Sequence, residues 1–256
     1  MLKKNALKIF VYTVMVVTLC PILITFPVAM TTTGYMTFPP IGLTLKWFVS
    51  AFYDRILMDS LIRSLLLAIS ASVLSILIGL PATFAIERIR FRGKNLVETL
   101  FIGPKMIPLI IYVLALLIFY ERIGLSETFL GLMLSHMVIC VPFSFRTLLV
   151  SVASLDRRLE WSAEILGANR FQTFFRVILP QIKTGMIASC IFTFILSFNN
   201  VTLALFLSGV GKRTLPVEMF QRLHVGGITP KIPAISFILS IFGVLLFIIA
   251  DRTVGV

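Results

Sequence analysis

Six long apolar blocks constrain this chain more than any other feature. They run from Leu7 to Met30, Leu61 to Ile86, Leu96 to Tyr120, Thr128 to Ala153, Met186 to Leu207 and Ala234 to Ala250. Crossing a bilayer as a helix takes about 20 apolar residues. In hydrocarbon only helices or closed barrels satisfy every backbone group. Barrel strands alternate in polarity over about ten residues, and these blocks are longer and uniformly apolar. The chain therefore reads as an all-α polytopic membrane protein with six transmembrane helices. Composition agrees: 58% of its 256 residues are hydrophobic and 13% are charged, against about a quarter charged in soluble domains.

The first block follows Lys3, Lys4 and Lys8. It is longer than a signal-peptide core and lacks an A-x-A-like site after it, so an uncleaved first helix is expected. Orientation follows the basic residues. With the N-terminus inside, the inner loops hold Lys3, Lys4, Lys8, Arg88, Arg90, Arg92, Lys94, Arg157, Arg158, Arg170, Arg176, Lys183 and Arg252. The outer side holds Lys46, Arg55, Arg63, Arg122, Lys212, Arg213, Arg222 and Lys231. The short cluster from Arg88 to Lys94 is hard to translocate, which puts both termini in the cytoplasm. The net charge of +12 thus reads as membrane orientation rather than as a nucleic-acid surface. Lys105 and Arg146 lie within blocks near the inner ends. They read as snorkelling cations or, second, as polar contacts lining an inner gate.

Cys20, Cys140 and Cys190 lie in apolar blocks, spaced too widely for a metal or redox motif. His136 and His224 have no carboxylate or cysteine near them in sequence and read as packing or surface histidines. No metal site and no catalytic constellation is expected, so the chain is not read as an enzyme. Pro21, Pro27, Pro81, Pro104, Pro108 and Pro142 punctuate the helices and can bend them. No P-loop pattern occurs, so any ATP chemistry belongs to another chain.

The stretch from Leu159 to Pro180 is a polar island between the fourth and fifth blocks. Leu155, Leu159, Ser162 and Leu166 fall at helical spacing. Gly167 fits a helix stop, and Asn169 can cap a second helix. In that helix Phe171, Phe174, Phe175 and Ile178 form an apolar stripe opposite Gln172, Thr173 and Arg176. Pro180 is expected to end it or to kink the chain into the next membrane helix. Such a helix can lie on lipid headgroups, or it can present one face to a soluble partner.

This island resembles the EAA loop of binding-protein-dependent ABC importer permeases. The family pattern is E-A-A, three residues, Gly, nine residues, Ile, one residue, Leu, Pro. The chain matches it at Ala163, Gly167, Leu179 and Pro180, with Val177 in the Ile position. It departs at Trp161 and Ser162, and Glu160 stands one residue early. Residues 193–220 and Arg90-Phe91-Arg92-Gly93 resemble the spermidine/putrescine branch, its second permease above all. Asn199-Asn200 stand where many members carry an acidic pair.

The resemblance implies a membrane helix and outer loop over 1–60 and a permease core over 61–256. Within the core, 154–183 would be a cytoplasmic coupling loop. It further implies a second permease subunit, as a heterodimer, two copies of a cytoplasmic ATPase holding ATP and Mg2+, and an extracytoplasmic solute-binding protein. Coupling would fall to Glu160, Ala163, Glu164, Gly167, Ala168, Arg170, Phe171, Phe174, Arg176, Leu179 and Pro180, with no cofactor on this chain. The setting would be the bacterial inner membrane. The solute would be small and polar, polyamine-type first, with amino-acid-like or opine-like solutes second. A secondary transporter is the more distant reading, since the halves show no convincing repeat.

With the fifth helix starting near Met186, Asn199 lies about 20 Å above its inner end. Ser197, Asn199, Asn200 and Thr202 then form a polar cluster past the midplane. They either line the path or bond between helices. A short basic tail is expected after Val256.

Overall fold

The computed structural model describes residues 2–225, 227 and 229–254, and the side chains of 7–225, 227 and 229–248. The side chains of Lys3, Lys4 and Arg252 lie outside the described residues. Among the described residues the regular structure is entirely helical. The helices are α1 (Leu2–Ala29), α2 (Lys46–Phe52), α3 (Arg55–Arg88), α4 (Lys94–Ile102), α5 (Leu109–Ile123), α6 (Phe129–Ala153) and α7 (Arg157–Ile165). They continue with α8 (Arg170–Thr173), α9 (Leu179–Phe198), α10 (Val201–Leu207), α11 (Leu215–His224) and α12 (Lys231–Val254).

Among the described residues, five helical stretches are long and apolar enough to cross a membrane: Leu7–Ala29, Arg55–Arg88, Phe129–Ala153, Arg170–Phe198 and Lys231–Ile248. The third apolar block is not one helix. It breaks into α4, a 3-10 turn (Gly103–Met106) and α5, bent by 98°. Pro104 and Pro108 flank the break, where each removes a backbone donor. Counted as one broken span, this pair makes a sixth.

The chain divides into two compact units, 1–59 with 218–245 and 60–217 with 246–256. In the first, Phe26, Phe48 and Phe237 form an aromatic cluster, with Phe26 and Phe237 4.7 Å apart. The loop after α1 is tied by its threonines. The Thr31 hydroxyl meets those of Thr33 (2.7 Å) and Thr37 (3.0 Å), and Trp47 Nε1 donates to the Thr31 carbonyl (2.8 Å).

In the second unit α6 packs along α9. Gly185 permits the approach: a Cβ there would lie 2.6 Å from the Ser151 Cβ. Small polar residues line the seam, as in other membrane helix pairs. Across it His136 Nδ1 meets Ser197 Oγ at 2.9 Å; on another side of α6, Ser144 Oγ donates to the Ser75 carbonyl of α3 at 3.1 Å, and all four residues are buried. An apolar core formed by Leu67, Val113, Leu132, Leu203 and Leu207 lies toward the other end of the unit.

The broken segment is fastened to α6. Phe101 stacks on Phe145 at 5.0 Å, Lys105 Nζ lies 4.8 Å over the Phe143 ring, and Arg146 pairs with Glu98 at 3.8 Å. Lys105 and Arg146 therefore have protein partners on the segment that interrupts the third block.

Candidate functional site: the helical knob and its anchor

The chain leaves α6 and forms a compact knob before α9. Asp156 caps α7, its carboxylate accepting from the Arg158 N–H at 2.9 Å. At the other end Gly167 has φ +86. Its N–H donates to the Glu164 carbonyl and the Ala168 N–H to that of Ala163, both at 3.0 Å. This is the Schellman arrangement, and it needs a residue that tolerates positive φ. Asn169 and Gln172 then form a reciprocal capping box: Gln172 N–H to Asn169 Oδ1 and Asn169 N–H to Gln172 Oε1, both 2.9 Å. The N–H groups from Leu166 to Asn169 thus all find local partners, which helps the sequence itself set the angle between α7 and α8.

The knob is anchored to the end of α3. Arg88 pairs with Glu160 at 2.6 Å and donates to the Leu155 carbonyl at 3.5 Å. Arg157 donates to the Glu87 carbonyl. Glu160 is thus committed within the chain, one turn before the residues at the tip. Sequence reading used Arg88 and Arg157 as orientation charges and missed them as anchors. Their separation from the knob along the chain leaves no local signal; Asp156 before a helical run was a legible cap.

The expected phenylalanine stripe is divided. Between α8 and α9 the backbone forms a π turn, Phe174–Ile178, in which the Leu179 N–H reaches back to the Phe174 carbonyl. Phe174 and Ile178 turn inward: Phe174 packs on Phe84 at 5.8 Å, and Ile178 joins Val152 and Ile182. Phe171 and Phe175 remain exposed, and Thr173, expected on the polar face, is buried. Pro180 does not end the helix, which continues as one helical stretch from Arg170 to Phe198. A proline ring clashes with the carbonyl four residues back in a regular helix. The wider π turn makes room for it.

In the other stripe Leu155 packs inward on the Val152–Ile178–Ile182 cluster, whereas Leu159, Ser162 and Leu166 are exposed. Beside it Ile165 is 85% exposed, Leu166 87% and Phe171 78%, with Trp161 also exposed in α7. Glu164, Arg170 and Arg176 are exposed, Ala163, Ala168 and Leu179 half-buried, and Pro180 exposed. The result is an apolar tip rimmed by charge on a rigid base.

The second group of candidates is only partly brought together. Because α9 begins at Leu179 rather than near Met186, Asn199 ends a 20-residue helix. That is about 30 Å from the start, further along than expected. Asn200 caps α10, its Oδ1 accepting from the Leu203 N–H at 2.9 Å. Ser197 is buried against His136, while Asn199 is exposed and Thr202 half-buried. The two asparagines thus mark the place where the fifth block breaks.

The profile of the family described as binding-protein-dependent transport system inner membrane component matches residues 71–256. The chain is 28% identical over 214 residues to the spermidine/putrescine transport system permease protein PotC of Escherichia coli, covering 84% of this chain and 80% of that one. It is 28% identical over 215 residues to the putrescine transport system permease protein PotI of the same organism, covering 81% and 76%. A chain of a bacterial ABC transporter involved in import of the acidic polysaccharide alginate superposes with TM-score 0.74 at 16% identity, covering 97% of this chain and 94% of its own. Profile, relatives and fold converge with the Gly167 corner and the Leu179-Pro180 helix start: the chain belongs to the binding-protein-dependent transport system inner membrane component family.

Proposed function

We propose that this chain is a multi-pass inner-membrane permease subunit of an ATP-driven importer and carries half of the path for a small polar solute. Both termini and the knob face the cytoplasm. The chain pairs with a second permease, and each permease receives one copy of a cytoplasmic ATPase that holds ATP and Mg2+. An extracytoplasmic binding protein delivers the solute. The chain itself hydrolyses nothing. Two polyamine permeases among the relatives support a polyamine-type solute. Neutral Asn199-Asn200 keeps other small polar solutes, amino-acid-like or opine-like, as the second reading.

The observation that carries coupling is the combination of a rigid corner and an apolar tip. Ile165, Leu166 and Phe171 are exposed beside a backbone corner whose N–H groups from Leu166 to Asn169 are bonded locally. Burying such side chains contributes about 1.5–3 kcal/mol each, so a cleft on the ATPase gains from taking them. Exposed Arg170 and Arg176 suit acidic groups at its rim. Leu166→Asp and Phe171→Asp leave the fold intact, since neither side chain is buried. In membranes both variants should insert normally yet lose the ATPase subunits on affinity purification. Wild-type ATPase retention and solute-stimulated hydrolysis in both would overturn the assignment.

A further inference from the structure

The end of α3 borders an open groove of about 400 Å³, a size at which clefts hold apolar ligands, about 300–1,000 Å³. Leu80, Phe84 and Arg88 stand in one i, i+4 row of the helix, and Pro81, Ala85 and Ile89 in the next. Phe174, from the π turn, closes the other side, its ring 5.8 Å from that of Phe84. The lining side chains are apolar except for Arg88. Pro81 and Ile89 remain exposed, so nothing among the described residues covers the slot.

The groove ends where the charge begins. Its first rows belong to the apolar block that closes at Ile86, and Arg88 stands at its foot. Arg90, Arg92 and Lys94 follow within one short turn. Arg90 and Arg92 are exposed and pair with no carboxylate among the described residues. Glu160 is taken by Arg88, and Glu98 by Arg146. Arg157 brings a further cation where it donates to the Glu87 carbonyl. Glu87 and Asp156 oppose these cations without cancelling them.

An apolar slot at the end of a membrane helix, with an unpaired positive foot, selects its occupant. A soluble anion gains nothing from the phenylalanines. A zwitterionic headgroup brings its own cation to Arg90 and Arg92. An anionic lipid suits both ends: basic pockets beside membrane helices attract acidic headgroups, and the apolar wall packs against an acyl chain. We propose that this groove binds an anionic phospholipid, one acyl chain against Phe84, Ala85 and Phe174 and the phosphate in the turn of Arg90 and Arg92. The lipid belongs to the leaflet on the knob's side. It packs on both attachments of the knob to α3, the Phe84–Phe174 contact and Arg88.

The test uses the full chain, purified with whatever subunits it carries, in phosphatidylcholine nanodiscs. The probe is phosphatidylglycerol with a photoactivatable diazirine in one acyl chain, and adducts are mapped by peptide mass spectrometry. Adducts should fall on residues 80–89 and on Phe174. Unlabelled phosphatidylglycerol should compete for them, and added phosphatidylcholine or inorganic phosphate should not. A cation beside an acidic headgroup is worth about fivefold in binding, so Arg90→Gln and Arg92→Gln should each weaken competition by about that factor. Lys183→Gln removes a cation from the first turns of α9, outside the groove, and should change nothing. Ala85→Phe places a ring in the slot and should abolish the adducts with both arginines still present. Equal competition by phosphatidylcholine or by inorganic phosphate overturns the site. So do adducts only outside the groove, and so does an effect of Lys183→Gln as large as that of Arg90→Gln. Adducts that appear only after copurifying subunits are stripped give the groove to a protein partner and also overturn it. The assay involves neither transport nor hydrolysis, so failure of the importer reading registers separately.

Discussion

Arg88, the last residue of α3, and Glu160, in α7, form an ion pair of 2.6 Å in which both side chains are largely shielded from solvent. The contact links the end of a membrane helix to the knob proposed to receive the ATPase. A part-buried pair lies between the exposed case, about 0–1 kcal/mol, and the buried case, about 3–5 kcal/mol when one partner is lost. Arg88→Gln and Glu160→Gln should each cost about 1–3 kcal/mol and lower coupled hydrolysis while basal hydrolysis by the ATPase persists. The double variant should cost less than the sum, and a double-mutant cycle in thermal stability and coupled hydrolysis checks this. Strict additivity would mean the pair transmits nothing.

Gly167 separates two effects of substitution. Nothing lies within 4 Å of the position its Cβ would occupy, so Gly167→Ala meets strain at φ +86 but no clash. It should cost about 1–2 kcal/mol and leave measurable transport. Gly167→Pro requires φ near −65° and loses the hydrogen bond to the Glu164 carbonyl, at about 3 kcal/mol or more. It should abolish ATPase assembly while the permease remains inserted. Co-purification of the ATPase with each variant checks the order.

Asn200 tests capping against solute contact. Loss of an N-cap side chain costs about 0.5–2 kcal/mol. Asn200→Ser keeps an acceptor for the Leu203 N–H, whereas Asn200→Leu does not. Uptake measured on both should be near wild-type for Ser and several-fold reduced for Leu. Equal loss in both variants would instead give the amide a direct role in the path.

How much of this was legible in sequence depended on range. Gly167 and Asn169 depend on partners within a few residues, and their spacing was enough to read them, whereas Pro180, expected to end or kink a helix, stands instead in the first turn of α9. The division of the phenylalanine stripe was not legible, because Phe171 with Phe175 and Phe174 with Ile178 are two neighbouring i, i+4 rows of one apolar face, and the row that packs inward is chosen by Phe84, Val152 and Ile182 elsewhere in the chain. The 98° bend in the third block was hidden by uniform hydropathy, although Pro104 and Pro108 were visible. Asn199-Asn200 looked like a cluster in mid-helix because the helix start was placed near Met186 instead of Leu179. The Arg88–Glu160 anchor joins residues far apart in the chain, which no local pattern reports.

Asp54 provides a pH prediction outside the spans. Arg222 donates to its carboxylate at 2.7 and 3.1 Å, and Lys231 adds a bond at 3.3 Å. The Arg222 hydrogen bond is the main cause that lowers the Asp54 pKa from 3.8 to about 2, against the opposing effect of burial. Glu218, bonded to Arg222 at 2.8 Å, completes the group. The folded-state value lies below the unfolded one, so the stabilisation is fully present above about pH 4 and is lost as pH falls through about 2. It amounts to roughly 2 kcal/mol. Thermal stability should be unaffected by this group between pH 7 and 5 and should fall below pH 4. Asp54→Asn should be less stable at pH 7 and lose that part of the acid dependence.

The close approach of α6 and α9 gives the last prediction. Gly185 and Ser151 are both within helices, and a methyl group on Gly185 would lie 2.6 Å from the Ser151 Cβ, too close for either backbone to accommodate without moving. Overpacking of this kind costs about 1–3 kcal/mol. Gly185→Ala should therefore lower the melting temperature of the purified protein and disturb the seam that holds His136 against Ser197. Because the offending atoms belong to one side chain, Ser151→Gly should relieve the clash. The double variant, Ser151→Gly with Gly185→Ala, should recover most of the loss, less the cost of a glycine inside α6, about 1 kcal/mol. Thermal unfolding of the four proteins in detergent checks both signs. A double variant no more stable than Gly185→Ala alone would mean that the helices meet elsewhere.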